Sequence, residues 1–249
     1  MIRHNIVAVV LVLPAAIINV PAFGAVTYGP MDRHVSATAN STTETFASNS
    51  SGVFNEMAMS GLTSYALATQ LSDIPTDPST LPWLTYAVSE LSMSGELPNS
   101  VQADSFFDVF FELDVPLDYA LSGVLNAVID RHGVGSSSFE LFAGATKIHD
   151  FSVSADSSQG FLTDTEVLSG NGTLLPGEYR IVFNSTLSSS DAVDLPLNNG
   201  QPIFGGNVSS NFSFILRSPI PEPTSLSVWL ILGLVNMVGR IGCRRAWNR

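Results

Sequence analysis

Histidines and carboxylates are the first places to look for chemistry in this chain. Between residues 25 and 218 the histidines are His34, His132 and His149; His132 follows Asp130-Arg131 and His149 precedes Asp150. The residue types of a Ser-His-Asp hydrolytic constellation are therefore present. That constellation is defined by geometry, an imidazole bonded to both nucleophile and carboxylate. Serine is so abundant that no one serine is selected, and the simpler expectation is loop histidines in solvent. A carboxylate pair for glycoside hydrolysis must converge on a cleft, and spacing along the chain cannot choose such a pair from 21 acids. Asp108, Glu112 and Asp114 share one strand face, and hard oxygen ligands suit calcium. Yet Asp108 and Glu112 are four residues apart, about 13 Å on a strand, too far to chelate one ion. A solvated acidic face is expected there, with no metal and no cofactor. His-Glu-x-x-His, Gly-x-Ser-x-Gly, Gly-rich phosphate loops and EF-hand patterns are all missing from the sequence. The expectation is a protein that is not an enzyme.

The elements that must position these residues read as strands. From Ala25 onward period-two alternation is common and helical periodicity weak. Phe107, Val109, Phe111, Leu113 and Val115 form one apolar face, with Asp108, Glu112 and Asp114 on the other. Pro116 ends that run. The stretch 118–129 resumes it with Tyr119, Leu121, Leu125, Ala127 and Ile129 inward, which predicts neighbouring antiparallel strands turning near Pro116. Segments 138–143 and 147–153 flank a Gly144-Ala145 turn. Segment 161–168 is followed by Pro176-Gly177, which predicts a type II turn, and then by alternating Tyr179, Ile181 and Phe183. A last strand over 207–216 turns Phe212, Phe214 and Leu216 inward. The stretch 48–70 is the least regular. Phe54, Met57, Ala58 and Leu62 fit a short amphipathic helix, while Gly52, Ser60 and Gly61 argue against a long one. Segment 73–82, with three prolines, is a loop. Residues 25–218 thus predict an all-β antiparallel sandwich, with a jelly roll as one form of it. Tyr65, Trp83, Tyr86 and Phe110 are the candidates for exposed sugar-stacking aromatics, with core positions as the commoner fate of such rings.

Charge narrows the partners. Residues 25–218 carry five basic residues against 21 acidic ones, a formal charge of −16. That field repels phosphate backbones and excludes nucleic acid binding. The single cysteine, Cys243, lies in the C-terminal tail, so the domain has neither a disulfide framework nor a thiolate site.

Both ends are apolar. Residues 1–24 combine Arg3, an apolar run from Ile6 to Ile18 and small residues at Ala22 and Gly24, the pattern of a secretory signal peptide. At the other end, prolines 219, 221 and 223 around Glu222 hold an extended strand that neither helix nor sheet can absorb. The apolar run 226–238 spans about 20 Å as a helix, and about 27 Å if continued to Cys243, close to a hydrocarbon core of roughly 30 Å. Arg240, Arg244 and Arg245 then form a positive-inside membrane stop. Signal helix and transmembrane helix (about 225–243) would flank the sandwich, with residues 25–218 outside the cell.

Pro221-Glu222-Pro223, the short membrane helix and the basic terminus at 240–249 occur in the order of the PEP-CTERM sorting signal, which residues 219–249 resemble. The resemblance implies that Pro221, Glu222 and Pro223 are recognised by an exosortase-type membrane transpeptidase. It makes this chain that enzyme's substrate, an anchored precursor at the inner membrane and then a protein of the bacterial surface or extracellular matrix, near extracellular polysaccharide. A permanent, uncut anchor is the rival reading of the tail. For the sandwich the first expectation is a structural or adhesive role. A lectin-like carbohydrate-binding module and a secreted hydrolase are the alternatives.

Overall fold

The computed structural model of the protein describes residues 26–62, 64–96, 100–157, 161–189 and 203–219. The expected signal peptide, the sorting residues Pro221, Glu222 and Pro223, and the membrane stop at Arg240, Arg244 and Arg245 lie outside the described residues, as do both flanking helices.

Among the described residues the regular elements are all strands: β1 (Val26–Ala39), β2 (Thr42–Ser48), β3 (Gly52–Ser60), β4 (Tyr65–Ile74), β5 (Trp83–Glu96), β6 (Val101–Leu113), β7 (Leu117–Arg131), β8 (Gly133–Ala143), β9 (Thr146–Ser157), β10 (Leu162–Leu174), β11 (Gly177–Ser189) and β12 (Ile203–Arg217). They form two six-stranded antiparallel sheets, in the orders β2-β1-β6-β11-β8-β9 and β10-β7-β12-β5-β4-β3. The sheets pack face to face as a β-sandwich. Alternation dictates which residues go between them. In β6, Val101, Ala103, Phe107, Val109, Phe111 and Leu113 are buried, and in β11 so are Tyr179, Ile181, Phe183 and Leu187. Phe212 of β12 reaches across from the second sheet to Phe107, Phe139 and Phe183 of the first, with ring centroids 5.0–5.3 Å apart in tilted or edge-on contacts.

The strands β5–β12 shuttle between sheets, giving the orders β5-β12-β7-β10 and β6-β11-β8-β9. The strands β1–β4 extend both sheets at one side. There the interior is lined by small side chains, among them Ala37, Ala39, Ala58, Ala66 and Ala68, together with buried polar residues, of which Arg33 and Gln70 are the largest. Arg33, 1% exposed, points inward from β1 and donates to the Gly52 carbonyl at 2.7 Å and to the Ser50 carbonyl, clasping the crossing from β2 to β3. Its guanidinium also lies 5.4 Å from the Phe54 ring centre, and burial pulls its pKa below the usual arginine range. Gln70 of β4 has its amide nitrogen towards the His34 and Phe106 carbonyls of the other sheet, at 3.2 and 3.1 Å.

Three expectations are corrected. The stretch around Phe54, Met57 and Ala58 is not helical: β3 is an edge strand that buries Phe54 and Ala58 and leaves Val53, Met57 and Met59 exposed. An edge strand that is apolar on both faces loses the alternation that would identify it. Second, β6 and β7 are not neighbours. Residues 114–116 carry the chain from one sheet to the other, where β7 pairs with β10 and β12. Third, Pro176-Gly177 is likewise a crossing, from β10 to β11. Gly177 opens β11 with φ of +151°, a region essentially restricted to glycine, rather than the roughly +80° of a type II turn. The Gly144-Ala145 turn does join a hairpin, β8 to β9.

The register also fixes where the chain enters and leaves. Val26 pairs with Leu113 and Arg217 with Asp118, and the short segment 114–116 links those two positions. Val26 and Arg217 therefore lie at the same pole of the sandwich.

Candidate functional site

At that pole β1 departs from regular pairing with β6. Tyr28 opposes Phe111 and Met31 opposes Val109, so Gly29 and Pro30 together face the single residue Phe110, a β-bulge. Proline has no N–H for the ladder. Glycine is required beside it because a Cβ there would sit 2.9 Å from the Phe110 Cβ. The bulge lifts β1 off the sheet and leaves a cleft of about 190 Å³. Pro30 and Phe110 supply apolar walls, Thr27, Glu112 and Glu178 the polar rim, and Tyr28, Phe111 and Tyr179 the floor.

The floor is held by hydrogen bonds. The Tyr28 hydroxyl donates to the Pro75 carbonyl at 2.6 Å and accepts from Trp83 Nε1 at 2.7 Å. Burial pushes its pKa up to about 12, a rise that the Trp83 bond partly offsets. The Tyr179 hydroxyl donates to the Leu175 carbonyl at 2.6 Å, and its ring stacks on Phe111 with centroids 5.5 Å apart.

The rim is acidic. Glu112 and Glu178 are exposed and directly opposite one another in the β6–β11 register. Such a like-charged cross-strand pair is destabilising in isolation. The neighbouring cation does not neutralise them. Arg180 makes a two-pronged bond to Asp108, Nε to Oδ1 at 2.9 Å and Nη2 to Oδ2 at 2.7 Å, while its guanidinium covers the Phe110 ring at 4.7 Å. The bonds to Asp108 raise the Arg180 pKa further. Farther along the same outer face Lys147 is held by Glu140 at 2.6 Å and Asp150 at 3.0 Å. A half-buried aromatic beside exposed carboxylates can stack and hydrogen-bond a polyhydroxylated ring. The two glutamates rise side by side from adjacent strands rather than facing each other across the cleft, the placement that glycoside cleavage needs.

Of the four candidate aromatics, Phe110 lines this cleft, Trp83 is fully buried, and Tyr65 and Tyr86 are half-buried on the other sheet. Asp108 is engaged with Arg180, Glu112 belongs to the cleft, and Asp114 lies past the end of β6. No group of three or more metal-ligating side chains occurs among the described residues. The histidines do not meet in one place. His34 contacts Asp32 at 3.3 Å and packs on Phe106. His132, expected in solvent, is instead buried, at φ +45° in the single-residue step between β7 and β8. His149 Nε2 shares a 2.7 Å bond with the Tyr119 hydroxyl, and burial lowers its pKa. Pro30, Glu178 and Arg180 escaped the sequence reading, because only long-range pairing brings β1 and β11 to Phe110. The Gly29-Pro30 pair inside an alternating run was the available sign of a bulge. No protein-family model matches the chain, and no curated protein is found to be related to it.

Proposed function

We propose that this chain is a non-enzymatic surface or extracellular-matrix protein of a bacterium, exported through residues 1–24 and sorted through 219–249. An exosortase-type membrane transpeptidase would recognise Pro221-Glu222-Pro223, with Arg240, Arg244 and Arg245 holding the tail in the inner membrane until the cut. The observation that carries the reading is the end of β12. The last described strand finishes at Arg217, and the sequence passes through Ser218-Pro219-Ile220 into Pro221-Glu222-Pro223, the apolar run and the arginines. A rigid proline strand next to a finished fold stays available to an enzyme groove. Val26 and Arg217 share a pole, so a tether there leaves the opposite pole pointing away from the membrane. The strand order of β5–β12 supports a jelly roll as the body of the domain. Replacing Pro221, Glu222 and Pro223 with alanine tests the reading. The altered chain is expected to accumulate uncut in the membrane fraction, whereas unchanged maturation would contradict it.

The cleft at the bulge favours a second reading, carbohydrate binding. Phe110, Thr27 and the two glutamates offer one sugar ring a stacking surface and acceptors, and extracellular polysaccharide is the partner that the sorting signal implies. Phe110→Ala is expected to weaken retention on neutral polysaccharide at least tenfold. Equal retention would remove this reading and leave the sorting one intact.

A further inference from the structure

Among the described residues, strand β9 is the outermost strand of its sheet, with β8 on one side and no strand hydrogen-bonded on the other. Its free edge should present unpaired N–H groups, a template for another strand. Two of them are covered in an unusual way. Ser152 N donates to Glu166 Oε2 at 2.7 Å, and Ser154 N to Asp164 Oδ2 at 3.0 Å. Both carboxylates come from β10, the edge of the facing sheet, whose main chain lies a sheet spacing away and cannot itself pair with β9. Two acids at i and i+2 on one strand thus stand in for a missing strand. The seam at the other side carries a counterpart, Met59 N to Glu44 Oε2 at 2.7 Å.

We propose that β9 is a latched assembly edge: when Asp164 and Glu166 are neutralised or drawn away, the Ser152 and Ser154 N–H groups take up the main chain of β9 from a second copy, fusing two sheets across a two-fold axis. The sequence of β9 suits pairing with itself. An antiparallel register centred on Ser152 sets Asp150 opposite Ser154 and Phe151 opposite Val153, short of the bulge at Ile148. No like charges meet in those pairs, and the interface is isologous, so it closes at a dimer. While closed, the latch would also keep the edge unpaired, because a row of carboxylates repels the same row on another copy.

The test uses the full-length protein in detergent, with mass read by light scattering after size exclusion. D164N/E166Q is expected to shift the protein from monomer to dimer, with at least tenfold tighter self-association than the parent. Adding S152P should return it to monomer, since proline removes the pairing N–H yet is tolerated on an edge strand. In a D164N/E166Q/C243S background, S152C should give a covalent dimer on oxidation, because opposed Cα atoms about 5.5 Å apart lie within disulfide reach. A monomeric D164N/E166Q protein, or a dimer that S152P does not dissolve, overturns the proposal. If the double variant does not fold, S152C with C243S and E166Q alone decides, since E166Q by itself weakens the hold on the Ser152 N–H. A covalent dimer accumulating on oxidation supports a β9 edge that opens, and its absence refutes it.

Discussion

The eight-strand body β5–β12 and the four-strand extension β1–β4 share the same two sheets but are packed by different forces. In the body, Phe107, Phe139, Phe183 and Phe212 interlock across the sandwich, and Trp83, Phe111 and Phe214 continue the cluster towards the pole where the chain enters and leaves. In the extension, alanines bring the sheets close, and polar side chains do the joining: Arg33 clasps the β2–β3 crossing and Gln70 bridges to the other sheet. Aromatic burial is non-directional and forgiving. Hydrogen bonds from a buried guanidinium hold one geometry and fail when it is lost. The cleft sits where the two regimes meet, as the extension's first strand bulges away from Phe110 of the body.

Breaking the body should have the largest effect. Phe212→Ala removes a ring in contact with three others and is expected to lower global stability by about 3–5 kcal/mol, measured by urea denaturation. A loss of under 1 kcal/mol would mean that the aromatic cluster is not the centre of the fold. Arg33→Ala strips the donors from the Gly52 and Ser50 carbonyls and should cost about 2–3 kcal/mol. Its signature differs: amide hydrogen exchange should accelerate first in β2 and β3 while β11 and β12 stay protected. Uniform acceleration would erase the distinction between the two regions.

Much of the body was legible because alternation is a local property. The faces of β6, β11 and β12 were read correctly from Phe107 to Leu113, Tyr179 to Phe183 and Phe212 to Leu216. Alternation names a face, not a partner, and a proline turn serves a hairpin or a crossing equally well. That is why β6 and β7 read as neighbours when they belong to opposite sheets. The extension was less legible. The outward Val53, Met57 and Met59 blur the period of β3, and nothing local marks Arg33 as buried. Of the cleft, Phe110 and Glu112 could be singled out in the sequence, while Pro30 and Glu178 depended on pairings across more than 60 residues.

Smaller effects sharpen the comparison further. Glu44→Ala uncovers the Met59 N–H and should cost about 1 kcal/mol, with faster exchange at Met59 as the local readout and the body unaffected. The smallest expected effect is a pH slope at the β9 side of the body. Burial depresses the His149 pKa, so the folded state binds its proton less readily than the unfolded one. Stability should therefore be full above the ordinary histidine value of 6.5 and decline as pH falls below it, towards the depressed folded value. His149→Gln should flatten this part of the stability profile, and an unchanged slope would assign it to another group.

The reading of the chain as a sorted surface protein is tested most directly by intact-mass analysis of the mature protein from its native host. The expected species begins near residue 25 and ends in the region of Pro221-Glu222-Pro223, without the apolar run and arginines. A mature surface species that still contains residues 226–249 would contradict enzymatic sorting.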